Sequence, residues 1–146
     1  MKKLLSYSKN IGFFFGVGTS CAFGLPNVIR LTEDVELKLE SDMKTVFQNL
    51  KQSLVVLLGK TNISVEDILN YVRQIREITG ERKDRQYDGI DGETARILDE
   101  RICKNIFEII QKQEEGADIT ELRKFFAWLD MSNRNYVKEI FTTKQD

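Results

Sequence analysis

The short stretch Asn10 to Val17 is apolar and aromatic, is bounded by glycines, and runs straight into Gly16-Val17-Gly18-Thr19-Ser20. An apolar run of this length with no polar face matches a strand buried on both sides in a parallel sheet, and such sheets need helices layered over them. The glycine-bearing string that follows reads as a loop. A chain that opens this way is restricted to the α/β class.

The pattern turns helical after Gly24-Leu25-Pro26. Pro26 is placed near a first turn, where its missing N–H costs nothing, and Val28, Leu31, Val35 and Leu39 recur at helical spacing. Met43, Phe47, Leu50, Leu54 and Leu57 mark a second stripe, ended by Gly59. Ser64 with Asp67 has the form of a capping box and opens a third stripe of Ile68, Leu69, Val72 and Ile75. The mixed-charge, glycine-bearing stretch from Gly80 to Gly92 reads as an exposed loop. Leu98, Ile102, Ile106 and Ile109 then define a long helix. Asp118 with Glu121 caps a last one, carrying Leu122, Phe125, Phe126 and Leu129. Tyr136 to Thr143 alternates polar and apolar residues and predicts a second strand.

The expectation is therefore one mostly helical α/β unit over 1–146, with strands at 10–17 and 136–143. Residues 1–40 supply strand, loop and helix, 43–131 a helical insertion, and 136–146 the second strand and tail. Two strands do not complete a doubly wound sheet, so the architecture reads as interrupted. At 146 residues and 41% hydrophobic composition, a single core is the default.

Charge and cysteine content remove several classes of function. A formal charge of -1 and the lack of a long basic run argue against nucleic acid. Cys21 and Cys103 stand far apart in a chain without histidine, which gives neither a Cys/His zinc pattern nor a disulfide framework and fits a cytoplasmic setting. Cys21 reads as a small buried filler. Lys2 and Lys3 ahead of Ile11 to Phe15 resemble the front of a secretory leader, but Gly16, Gly18 and Thr19-Ser20 break the run, no clean cleavage site follows, and it is too short to span a bilayer. Asp84, Asp88, Asp91 and Glu93 crowd one loop, yet a calcium loop begun at Asp84 puts Gln86 at its third place and Ala95 where a bidentate glutamate belongs. No metal site is expected.

The candidate chemistry lies in the first loop. Glycines after a strand let a backbone approach a diphosphate closely, and the amides opening the next helix favour its negative charge. The dinucleotide fingerprint G-x-G-x-x-G is only partly met, since Cys21 occupies its third glycine. The longer string Gly16-Val17-Gly18-Thr19-Ser20-Cys21-Ala22-Phe23-Gly24-Leu25-Pro26 resembles the opening motif of SIR2-like, sirtuin-related domains, in which G-A-G-x-S precedes G-[IL]-P. Phe141-Thr142-Thr143 resembles the start of that family's second signature, a strand ending in T-T-N-Y-D or T-Q-N-x-D. The stretch Glu66-Asp67-Ile68-Leu69-Asn70-Tyr71 is similar in character to the helical insertion of bacterial SIR2-like proteins, many of them NAD hydrolases in anti-phage defence.

The resemblance covers the front part of that domain and implies an incomplete Rossmann-like NAD-binding unit. It assigns NAD contacts to Gly16, Gly18, Thr19 and Ser20, and extends the cofactor-binding set to Gly24 and Pro26 of the same string. It assigns no catalytic residue here: Lys144 stands where the family has its asparagine, and the chain has no histidine to take a ribose hydroxyl proton. The expectation is thus a truncated SIR2-like domain without activity of its own. The alternative is a non-enzymatic helical interaction or regulatory module, whose sheet is completed by a partner or by a second copy in a homo-oligomer. No membrane partner is expected.

Overall fold

The computed structural model describes residues 11–22, 24–131 and 138–142. It is mostly helical with a few short strands, a mixed α/β structure. Its elements are β1 (Ile11–Phe15), α1 (Val17–Ala22), α2 (Val28–Lys38), α3 (Ser41–Leu58), α4 (Val65–Thr79), β2 (Gln86–Tyr87), β3 (Ile90–Asp91), α5 (Gly92–Gly116), α6 (Thr120–Met131) and β4 (Lys138–Thr142). The chain divides into two compact units: a contiguous helical unit, Pro26–Glu115, and a strand unit made of Met1–Leu25 and Gly116–Asp146. α2 packs with the helices of the first unit and α6 with the strands of the second.

The helical unit is built from well-terminated amphipathic helices. Asn27 caps α2 by accepting from the Arg30 amide at 2.9 Å. Pro26 thus lies one residue ahead of the cap and outside the first turn where the sequence suggested it. Ser64 and Asp67 form the predicted box: the Asp67 amide donates to Ser64 Oγ at 3.1 Å and the Ser64 amide to Asp67 Oδ2 at 3.0 Å. Gly59 and Gly80, both at φ 62°, end α3 and α4 in the left-handed conformation that glycine adopts without penalty. The buried faces of α2 to α5 meet in one core that includes Val35, Phe47, Leu50, Leu54, Ile68, Val72, Ile75, Leu98 and Ile102. Each such side chain contributes on the order of 1.5–3 kcal/mol by leaving water. Leu57, read as part of this stripe, is instead exposed, on a different side of α3 from the buried Leu54.

The stretch read as an exposed loop holds a tight β-hairpin. β2 and β3 pair antiparallel, with Tyr87 opposite Ile90, around Asp88-Gly89, whose φ values of 53° and 76° are those of a type I′ turn. Asp91 then caps α5, accepting from the Thr94 amide at 2.8 Å and its hydroxyl at 2.7 Å. Gly92 is sterically required here: a Cβ would fall 2.4 Å from Thr79 Oγ1 and 2.5 Å from the Arg82 nitrogen.

In the strand unit, β1 and β4 pair in parallel from Ile11 opposite Lys138 to Phe15 opposite Thr142. One face is covered by α6, where Phe125 meets Phe13 at 5.0 Å and Phe15 at 5.7 Å, both edge to face. The other face departs from the expected double burial: Phe14 is 70% exposed and Phe141 51%. With two strands and one covering helix among the described residues, nothing in this unit lies over that side. Thr120, not a box with Glu121, satisfies the acid ahead of α6: its amide donates to Asp118 Oδ1 at 2.9 Å while Glu121 pairs with Lys124. Residues 10, 136, 137 and 143 of the predicted strands lie outside the described residues.

Candidate functional site

The turn at the carboxyl end of β1 is shorter than the loop expected over 16–20. Only Gly16 separates strand from helix, and Val17, Gly18, Thr19 and Ser20 already belong to α1. The Thr19 amide donates to the Gly16 carbonyl at 2.9 Å, which closes the turn. That bond uses the Thr19 amide; by helix geometry, the Val17 and Gly18 amides that open α1 have no intrahelical carbonyl to meet. Gly24, at φ 86°, follows α1 with its amide donated to the Cys21 carbonyl at 3.0 Å, and its backbone is one that residues other than glycine rarely adopt.

Internal packing does not explain Gly18. A Cβ added there meets nothing within 4 Å, and one at Gly16 meets only the Phe14 ring at 3.9 Å. Space is therefore open beside the backbone where a ligand would approach. Gly16, Gly18, Thr19 and Ser20 come together in one strand-to-helix turn, with Gly24 just beyond it. Pro26 belongs to the helical unit. Because Phe15 is opposite Thr142, the carboxyl end of β4 lies beside the same turn. Thr143 and Lys144 of the second signature-like string lie outside the described residues. Cys21 is exposed, against its reading as a buried filler, because α1 carries it on the surface of a thinly layered unit.

The acidic loop is accounted for by local partners. Asp84 pairs with Arg82, Asp88 accepts from the Tyr71 hydroxyl at 3.0 Å, Asp91 caps α5, and Glu93 lies 3.7 Å from Lys83. Burial, with the Asp88 carboxylate beside it, pushes the Tyr71 hydroxyl up to about 12. Among the described residues no cluster of three or more His, Cys, Asp or Glu side chains is arranged to hold a metal.

One polar cluster escaped the sequence. Asp99 on α5 is only 4% exposed and is held by Arg76 and, through two contacts of 3.4 Å, by Arg73, both on α4; Cys103 donates to it at 3.4 Å. Burial drives the Asp99 carboxyl up, but the hydrogen bonds from Arg76, Arg73 and Cys103 outweigh it and leave it below the usual carboxylate range. Arg76 also binds Glu81, so two arginines face two carboxylates and the cluster is close to neutral. It ties α4 to α5 and offers no free group for chemistry. The available signal was Arg73 and Arg76 three apart on one helix, with an acid set between the core residues Leu98 and Ile102.

The glycine turn thus remains the candidate site, on the strength of its own geometry: comparison with protein-family models, with curated proteins and with solved structures finds no match.

Proposed function

We propose that this chain carries the phosphate-binding front of a SIR2-like, Rossmann-like NAD-binding domain, whose family role is NAD hydrolysis in anti-phage defence. One observation carries the reading. The glycine string begins where β1 ends, and Phe15 pairs with Thr142 of the second signature-like string, so the described parts of both meet at the carboxyl ends of two parallel strands, the place where open α/β sheets bind ligands. The open space beside Gly18 supports it, since a diphosphate needs close backbone approach. NAD would be held by the turn of Gly16, Gly18, Thr19 and Ser20, with Gly24 shaping the exit of α1. The bound dinucleotide supplies the scissile nicotinamide–ribose bond. The chain has no histidine to serve as base, so it binds NAD without cleaving it.

Titration calorimetry with NAD, paired with an assay for released nicotinamide, tests this. Gly18→Val starts its side chain in open space, since a Cβ there meets nothing within 4 Å, and it is expected to abolish NAD binding while preserving the circular dichroism spectrum. Binding equal to wild type in that variant sinks the assignment of the turn. Rapid nicotinamide release by the unmodified chain sinks the inactive part of the reading.

A second reading rests on the bare face of the sheet. With Phe14 and Phe141 exposed, the chain is a non-enzymatic interaction module whose sheet a partner completes. A purified chain that neither binds a hydrophobic dye nor changes mass with concentration counts against it.

A further inference from the structure

β1 ends in the run Phe13-Phe14-Phe15, and the alternation of a strand sends these side chains to opposite faces of the sheet. Phe13 and Phe15 pack edge to face on Phe125 of α6. Phe14 takes the other face and is 70% exposed, with no ring packed on it among the described residues. Exposure alone does not single out an aromatic residue. The position of this one does.

Two exposed rings share that face, and they lean in opposite directions along the strands. Phe141 of β4 is opposite Phe14 in the parallel register. Its ring is laid back toward the amino end of β1, over Gly12, where an added Cβ would fall 3.4 Å from Phe141 Cε2. The Phe14 ring lies toward the carboxyl end. Its Cε1 is the one atom within 4 Å that an added Cβ on Gly16 would meet, at 3.9 Å. Phe14 thus sets an exposed aromatic ring against the first glycine of the turn, while Gly18, two residues on, opens onto empty space.

We propose that Phe14 is the seat of the ligand's base: a planar heteroaromatic ring, joined through a ribose to a phosphate on the turn, stacks on the exposed ring of Phe14. This rests on the reading of the turn as a diphosphate site, and it adds the residue that tells a nucleotide from a plain phosphate. Backbone amides bind any phosphate alike. An aromatic platform is selective for ligands that carry a flat ring, and it accepts every base because each has a π face to offer. Phe141, turned away over Gly12, has no part in the seat.

Calorimetry of the full chain with NAD and with ADP-ribose tests this. Phe14→Leu keeps an apolar side chain and removes the ring, and it is expected to weaken NAD binding at least about fivefold. Phe14→Trp should bind NAD at least as tightly as the unmodified chain, and Phe141→Leu should leave its affinity unchanged. A parallel loss with ADP-ribose in Phe14→Leu places adenine on the ring, and an unaffected ADP-ribose places nicotinamide there. The indole of Phe14→Trp should be quenched by NAD, a signal absent from the unmodified chain, whose single tryptophan, Trp128, packs on Phe13 at the opposite face. Unchanged NAD affinity in Phe14→Leu, with Gly18→Val still abolishing it, overturns the inference and leaves the turn standing. An equal loss in Phe141→Leu also overturns it, because the effect would then belong to the whole face. Failure of the unmodified chain to bind either ligand removes the reading of the turn, and the seat with it.

Discussion

The helical unit and the strand unit are made from the same kind of sequence yet are held together very differently. In the helical unit, four helices close on a shared core and five of their eight termini are fixed by a residue suited to it: Asn27, Ser64, Gly59, Gly80, Asp91. In the strand unit, two parallel strands lean on α6 through a few aromatic rings, and among the described residues Phe14 and Phe141 on the opposite face are exposed. Periodicity is a statement about which face a segment wants to bury; it does not say whether the chain supplies a partner for that face. The helical unit supplies its partners locally, and the strand unit does so on one side only.

The contrast can be broken most forcefully at its two aromatic extremes. Phe47→Ala empties a fully buried site and should cost about 3–5 kcal/mol, read as a lower urea midpoint, whereas Phe14→Ser should stay within about 0.5 kcal/mol. Equal losses at both would show that Phe14 is covered after all. Next in size is Gly92→Ala. Its methyl would press on Thr79 and on the backbone of Glu81 and Arg82, so thermal denaturation should register a loss of about 1–3 kcal/mol. A neutral outcome would mean that the α4–α5 junction yields more easily than its packing implies.

Asp99→Asn has the smallest expected effect, and it depends on pH. Asp99 titrates below its ordinary value when folded, so its contribution is present above the unfolded carboxyl value of about 3.9 and fades as pH falls through the lower folded value. The variant should be about 1–2 kcal/mol less stable at neutral pH and should converge with wild type in strong acid, as followed by urea unfolding across pH. A gap that persists at low pH would place the loss in packing instead of charge. A gap absent at pH 7 would show that the arginines contribute nothing net.

Much of this was legible in the residues. The Ser64–Asp67 box, the glycines that end α3 and α4, and the stripe through Ile68, Val72 and Ile75 are local signals, and local signals survive folding. Asp88-Gly89 was a missed hairpin signal, hidden because only two residues flank it on each side. Asp99 was not legible, since an acid beside a core stripe reads as surface until two arginines from another helix are brought to it. At the candidate site, the order of strand, Gly16 and helix was readable. The near absence of a loop, with α1 starting at Val17, was not, because Gly18 and Thr19 carry turn propensity that the helix overrides.

The insertion of one unit into the other also sets an order of events in time. The helical unit is one contiguous stretch, Pro26–Glu115, but β1 has to wait for β4, which is made more than a hundred residues later. During synthesis the helices can close while Ile11–Phe15 still lacks its hydrogen-bonding neighbour, and the aromatic strand then remains available to whatever meets it first. The strand end beside the glycine turn gains its neighbour only when Lys138–Thr142 arrives, so the surroundings of the candidate site are completed after the helical unit can close.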